Sequence, residues 1–186
     1  MNFVFISPNF PDNYWLFCQG LKRLGVNVCG IGDAPYETLS EELKQNLNEY
    51  YRVDSLANYD EMIKAIGYFT YRYGKIDWLE SNNEYWLRQD ARLRREFNIQ
   101  TGIQLEAIDG YQCKSRMKEY YAKAGVKTAR WCLSEKLEEL EAFANQVGFP
   151  LIAKPNIGVG AGNTHKINSM DELRSLVAAG FNEAMI

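Results

Sequence analysis

The chain has 186 residues, 46% of them hydrophobic and 24% charged, an ordinary globular balance with enough length to bury a core in one or two domains. Its net charge of −3 comes without a basic block, which argues against nucleic acid as a partner, and no apolar run is long enough for a signal peptide or a membrane span. The four cysteines (Cys18, Cys29, Cys113, Cys132) lack C-x-x-C spacing and read as free thiols in a reducing compartment, so a cytoplasmic protein is expected.

In chain order, strand-like and helix-like segments alternate. Phe3 to Ser7 is a short apolar run, expected as a buried strand. Asp12 to Leu24 carries Trp15, Leu16, Leu21 and Leu24 at helical spacing and stops at Gly25. Val26 to Ile31 is expected as a second strand. Thr38 with Glu41 has the spacing of a capping box, ahead of Leu39, Leu43 and Leu47. Tyr50 to Val53 is a third strand. Asn58 and Glu61 open a helix that aligns Met62, Ile66, Phe69 and Tyr73 and ends at Gly74. Lys75 to Glu80 gives a fourth strand and Asn83 to Phe97 a further helix. The aromatic stretch from Tyr68 to Trp86 is expected as core and sheet packing.

Such alternation implies right-handed crossovers, a parallel sheet covered on both faces, and ligands at the carboxyl ends of its strands. Those ends are Ser7-Pro8-Asn9, Gly32-Asp33 and Glu80 to Glu84. The first has no glycine where a pyrophosphate would approach, which argues against a dinucleotide site.

The pattern changes near residue 109. Lys114 to Ala124 reads as a helix with Met117, Tyr121 and Ala124 on one face. After a short strand, Ser134 is the expected N-cap of a helix carrying Leu137, Leu140, Phe143 and Val147, with Gly148 just beyond. Next comes F-P-L-I-A-K-P-N-I-G-V-G-A-G-N-T-H-K-I, from Phe149 to Ile167. An apolar strand delivers Lys154 to a loop with Gly158, Gly160 and Gly162, and a return strand begins at Thr164. Glycine tolerates positive φ and holds no ligand away, so the loop's N–H groups and Lys154 suit a phosphate. A plain hairpin, with Lys154 discouraging edge pairing, fits the same residues. His165, the only histidine, is expected to sit on the hairpin without a chemical role. Ser169 and Glu172 then start a helix with Leu173, Leu176 and Val177, ended by Gly180.

Three stretches of this series carry a resemblance to the ATP-grasp superfamily, of the biotin carboxylase and carbamoyl-phosphate synthase large-chain type. They are Asp77 to Gly102, Cys113 to Arg130 (C-K-S-R-M-K-E-Y-Y-A-K-A-G-V-K-T-A-R) and the hairpin itself. The resemblance implies an α/β chain in two parts. Residues 1–108 would form a parallel-sheet, Rossmann-like preATP-grasp domain, and residues 109–186 the first lobe of an ATP-grasp α+β domain. It puts Lys114 and Lys154 on the two lysines that contact ATP phosphates, and Gly158, Gly160, Ala161 and Gly162 in the loop that folds over the triphosphate. Glu84 falls on an acidic position facing substrate, although a carboxylate is favourable at a helix start in any case.

Departures from the family pattern are Cys113 in place of an aspartate, Ala161 where serine is frequent and Ala129 where proline is usual. The implied chemistry is ATP-dependent ligation or carboxylation through an acyl phosphate, on a small carboxylate or bicarbonate, and a homodimer stays open. The alternative is a noncatalytic nucleotide-binding or scaffolding module. The family's hinge and its carboxylates for Mg²⁺ are expected beyond Ile186. The chain is therefore expected to be a fragment or one part of a split enzyme, with no catalytic residue of its own and no turnover alone.

Overall fold

A computed structural model of the chain describes residues 1–159 and 162–181 and the backbone of Ala184–Met185. It divides into two units, Met1–Ile108 and Asp109–Ile186.

The first unit is built on strands that read as nearly continuous apolar runs, as parallel strands buried on both faces should. Its elements in order are β1 (Asn2–Ile6), α1 (Trp15–Arg23), β2 (Asn27–Gly32), α2 (Glu41–Asn46), β3 (Glu49–Arg52), α3 (Tyr59–Tyr73), β4 (Trp78–Glu80) and α4 (Leu87–Glu96). The sheet order is β3-β2-β1-β4 and every pairing is parallel. Alternate side chains divide the core. Val4, Ile6 and Ile31 pack with Met62, Ile66 and Phe69 of α3 and Leu93 of α4, while Phe3, Phe5 and Val28 pack with Cys18 and Leu43 on the other face.

Several sequence expectations are corrected here. The cap of α2 is Ser40, whose Oγ accepts the Leu43 N–H at 3.1 Å, whereas the Thr38 hydroxyl donates to the Pro35 carbonyl in a preceding turn. On α1 the buried residue is Cys18, and Leu16 and Leu24 are exposed. Strand β4 starts at Trp78, three residues later than expected, and a 3₁₀ turn over Glu84–Trp86 precedes α4. Within the aromatic stretch Phe69 is core, but Tyr71 and Tyr85 are exposed.

The second unit runs α5 (Asp109–Gln112), α6 (Lys114–Lys123), β5 (Leu133–Ser134), α7 (Leu137–Val147), β6 (Leu151–Pro155), β7 (His165–Ile167), α8 (Met170–Ala178) and β8 (Ala184–Met185). Its sheet has the order β5-β8-β6-β7 and is antiparallel throughout. Leu140 and Ala144 of α7 and Leu173 of α8 close a core over Leu151, Ala153 and Ile167. Ser169 caps α8 by accepting the Glu172 N–H at 3.2 Å.

Ser134 does not cap α7. It lies two residues before the N-cap position, where its hydroxyl accepts the Lys136 N–H and donates to Glu139. On α6 the buried residue is Ser115, and Tyr121 and Ala124 are exposed. The return strand begins at His165, one residue after Thr164. Among the described residues no helix is long and apolar enough to cross a membrane.

Candidate functional site

Strand β6 positions the site because its side chains alternate. Leu151 and Ala153 enter the core under α7 and α8, which leaves Ile152 and Lys154 to the opposite face. The strand is internal, paired with β7 on one side and β8 on the other, and Lys154 lies opposite Met185. Lys154 therefore guards no sheet edge, contrary to what a plain hairpin would require of its charge.

Beyond Pro155 the chain turns, and Asn156 ties the turn to α6. Its carbonyl accepts the Lys114 N–H and its Oδ1 accepts the Ser115 N–H, both at 2.9 Å. These are N-terminal donors that α6 cannot satisfy itself, and Cys113 at the N-cap supplies no side-chain bond to them. A residue 41 positions away does so instead. The same tie brings Lys114 against the loop, where its Nζ donates to the Gly158 carbonyl at 3.1 Å.

Lys114, Lys154, Gly158 and Gly162 thus line one cleft of about 270 Å³ with Ile152, Pro155 and Thr164. No carboxylate is among these residues. The other two loop residues singled out from sequence, Gly160 and Ala161, lie outside the described residues. Gly158 and Gly162 do not need glycine for the conformation they adopt. Neither has a positive φ, and among the described residues a Cβ at Gly158 would meet only Pro155, at 3.7 Å, and one at Gly162 would meet nothing within 4 Å; the positive φ is at Asn163.

Two further groups adjoin this cleft. Burial opposes ionisation of the Cys113 thiol, but hydrogen bonds from Ser115, the Arg116 N–H and Asn156 outweigh it and hold the thiol below its usual range. Lys118, one turn after Lys114, donates to the Ala129 carbonyl at 2.9 Å, and burial together with the Lys154 charge holds its amine below the ordinary lysine range. Sequence reasoning missed both Asn156 and Lys118. For Lys118 a signal existed, since residues four apart share a helix face; for Asn156 there was none. His165 is exposed on β7 and stacks edge-on against Phe181 at 5.2 Å.

In the first unit, Glu84 is exposed at the start of its 3₁₀ turn. The strand ends there are crowded. The Tyr50 hydroxyl donates to the Ala34 carbonyl, and its ring with Pro8 and Asn9 occupies the space a side chain would need at Gly30 and Gly32. Among the described residues no group of three or more His, Cys, Asp or Glu could hold a metal ion, so these residues do not fit magnesium.

The family model of the carbamoyl-phosphate synthase L chain, ATP binding domain, matches residues 113–186. The carbamoyl phosphate synthase large chain of Bifidobacterium animalis subsp. lactis (strain AD011) is 32% identical over 97 residues, covering 50% of this chain and 8% of that protein. The L-arginine-specific L-amino acid ligase of Bacillus subtilis is 29% identical over 151 residues, covering 81% of this chain and 35% of the ligase. A solved structure of similar fold is the biotin carboxylase domain dimer of the Hydrogenobacter thermophilus 2-oxoglutarate carboxylase, in complex with MgADP, ADP and bicarbonate. It has a TM-score of 0.74 at 20% identity, covering 98% of this chain and 43% of that one. The chain thus spans less than half the length of each of these proteins.

Proposed function

We propose that this chain belongs to the ATP-grasp superfamily and supplies the phosphate-gripping part of an ATP-dependent ligase or carboxylase, a reading supported by its sequence matches and its fold. Residues 1–108 are the preATP-grasp domain and residues 109–186 the first lobe of the ATP-grasp domain. One observation carries the reading: Lys114 and Lys154, from different elements and 40 positions apart, converge on one glycine loop in a cleft whose described lining includes no carboxylate.

In this reading the nucleotide's phosphates lie between the two ammonium groups and the loop. Lys114 exchanges its bond to the Gly158 carbonyl for a phosphate oxygen, a stronger charge-assisted contact. Because Gly158 and Gly162 have room for side chains in the described conformation, their lack of one serves close approach of the ligand. Fixed cations of this kind stabilise charge moving onto the transferred phosphoryl group. In the complete protein a carboxylate or bicarbonate would take that group, and the acyl phosphate would yield to an amine, thiol or other nucleophile. The ends of β1 and β4, with Glu84, are the proposed substrate side.

Calorimetric titration of the 186-residue chain with ATP tests this. Binding is expected, weakened by Lys154→Ala; equal responses of wild type and variant would count against the site. The chain alone is expected to bind without turnover, so ATP-dependent ligation by it would remove the proposal that its catalytic partners lie elsewhere.

A further inference from the structure

Two clefts meet on β6. Ile152 and Lys154 line the glycine-loop cleft and also a second, of about 400 Å³, whose wall includes Trp131 and Phe143. Among the described residues the second cleft adds two cations, Lys118 and Arg130, and again no carboxylate. Neither Lys118 nor Lys154 forms an ion pair among the described residues. Lys118 uses one of its three ammonium donors, on the Ala129 carbonyl.

Two like charges facing one cleft repel, and partial burial of Lys118 adds a desolvation cost to its charged form. Among the described residues no carboxylate pairs with either amine, and the Ala129 carbonyl is the acceptor Lys118 has. An anion between the amines removes the repulsion and accepts the spare donors. Lys154 belongs to both clefts, so a ligand reaching past it contacts Lys114 on one side and Lys118 on the other. A chain of phosphate groups offers an anionic position on each side of Lys154, whereas a lone carboxylate fills one position.

We propose that Lys118 is a further anion-binding residue of this chain, gripping with Lys154 one phosphate group of the nucleotide whose other phosphates face Lys114 and the glycine loop. This rests on the nucleotide reading above. Lys118 then lengthens the cationic track along β6.

The test titrates sodium tripolyphosphate, ATP and bicarbonate separately into the full chain and into three variants. Lys118→Met keeps the aliphatic stem and removes the charge, Lys118→Arg restores it, and Lys114→Ala reports on the loop side alone. Lys118→Met is expected to weaken tripolyphosphate and ATP by about tenfold and Lys118→Arg to recover most of that, with the unliganded unfolding midpoint unchanged or raised. Wild-type affinity in Lys118→Met alongside weakened binding in Lys114→Ala overturns this inference and leaves the phosphate site standing. Weakened bicarbonate binding with unchanged tripolyphosphate binding also overturns it, by moving Lys118 to the substrate. If wild type binds neither ATP nor tripolyphosphate, the nucleotide reading falls first and this one with it.

Discussion

The two units treat positive charge in opposite ways. In the first, Arg94 is fully buried and each guanidinium nitrogen ends on the protein: Nε on the Leu79 carbonyl at 2.9 Å, Nη1 on the Ile103 carbonyl at 2.7 Å and Nη2 on Glu80 at 2.7 Å. Gly102, at φ +74°, makes room, since a Cβ there would come within 2.8 Å of Nε. In the second, Lys114 and Lys118 each donate to one backbone carbonyl, and among the described residues the clefts they share with Lys154 are lined by no acid. A buried cation has to be satisfied by the fold, and once satisfied it is a structural part. A half-buried cation with spare donors at an open cleft keeps its capacity for a ligand.

If that contrast is right, substitutions in the two regions should separate stability from binding. The largest stability effect is expected from Arg94→Met, about 3–5 kcal/mol, because Glu80 and two carbonyls lose their partner. Urea unfolding followed by circular dichroism measures it, and a loss below about 1 kcal/mol would break the structural half of the comparison. Lys154→Ala should do the reverse. ATP affinity is expected to fall about 10- to 100-fold while the unfolding midpoint stays within error of wild type.

Asp90 sharpens the point, being a buried acid in the Arg94 region that the fold only partly satisfies. Its Oδ2 accepts the Ser81 N–H and hydroxyl, but Oδ1 has no partner among the described residues. Burial pushes its carboxyl up from 3.8 to about 7, against the Ser81 bonds, with Glu80 raising it further and Arg94 opposing. The fold therefore prefers the protonated form. The stability this group carries is fully present below the unfolded pKa and is lost as pH rises through about 7. Asp90→Asn keeps an acceptor for Ser81 and does not titrate. Between about pH 4 and pH 8, wild type should lose on the order of 4 kcal/mol more than this variant in parallel urea titrations. Parallel pH profiles would mean that Asp90 stays ionised.

What the sequence revealed follows the same division between local and long-range causes. The parallel sheet was legible because buried strands are apolar runs, as in Phe3–Ile6 and Val28–Ile31, and Asn58, Gly74 and Gly148 punctuated helices where expected. Thr38 misled because Thr38 and Ser40 both precede the same helix; Leu39 must enter the core ahead of it, which leaves Ser40 at the first free donor. Ser134 misled for a similar reason, since its hydroxyl serves a turn two residues before the helix N-cap. Lys114 and Lys154 stood out as cations at a helix start and at the end of an apolar strand. The nearness of Lys118 to Lys154, and the capping of α6 by Asn156, arise only when β6 and α6 meet, so no local spacing encodes them.

Asn156 gives the smallest effect and the finest test of the contrast. It carries no charge, so its contribution to a phosphate site is indirect: it fixes the first turn of α6, and with it the direction of Lys114. Asn156→Ala removes the acceptor of the Ser115 N–H but leaves the backbone bond to Lys114 in place. Stability should fall by about 1 kcal/mol, as for other lost N-terminal caps. ATP affinity should fall only about threefold, because both ammonium groups remain and only their aim is loosened. A loss as large as that of Lys154→Ala would make Asn156 a direct ligand contact. Unchanged affinity would mean that the Lys114 side chain finds the phosphate from its own rotamers, without the tie between helix and loop.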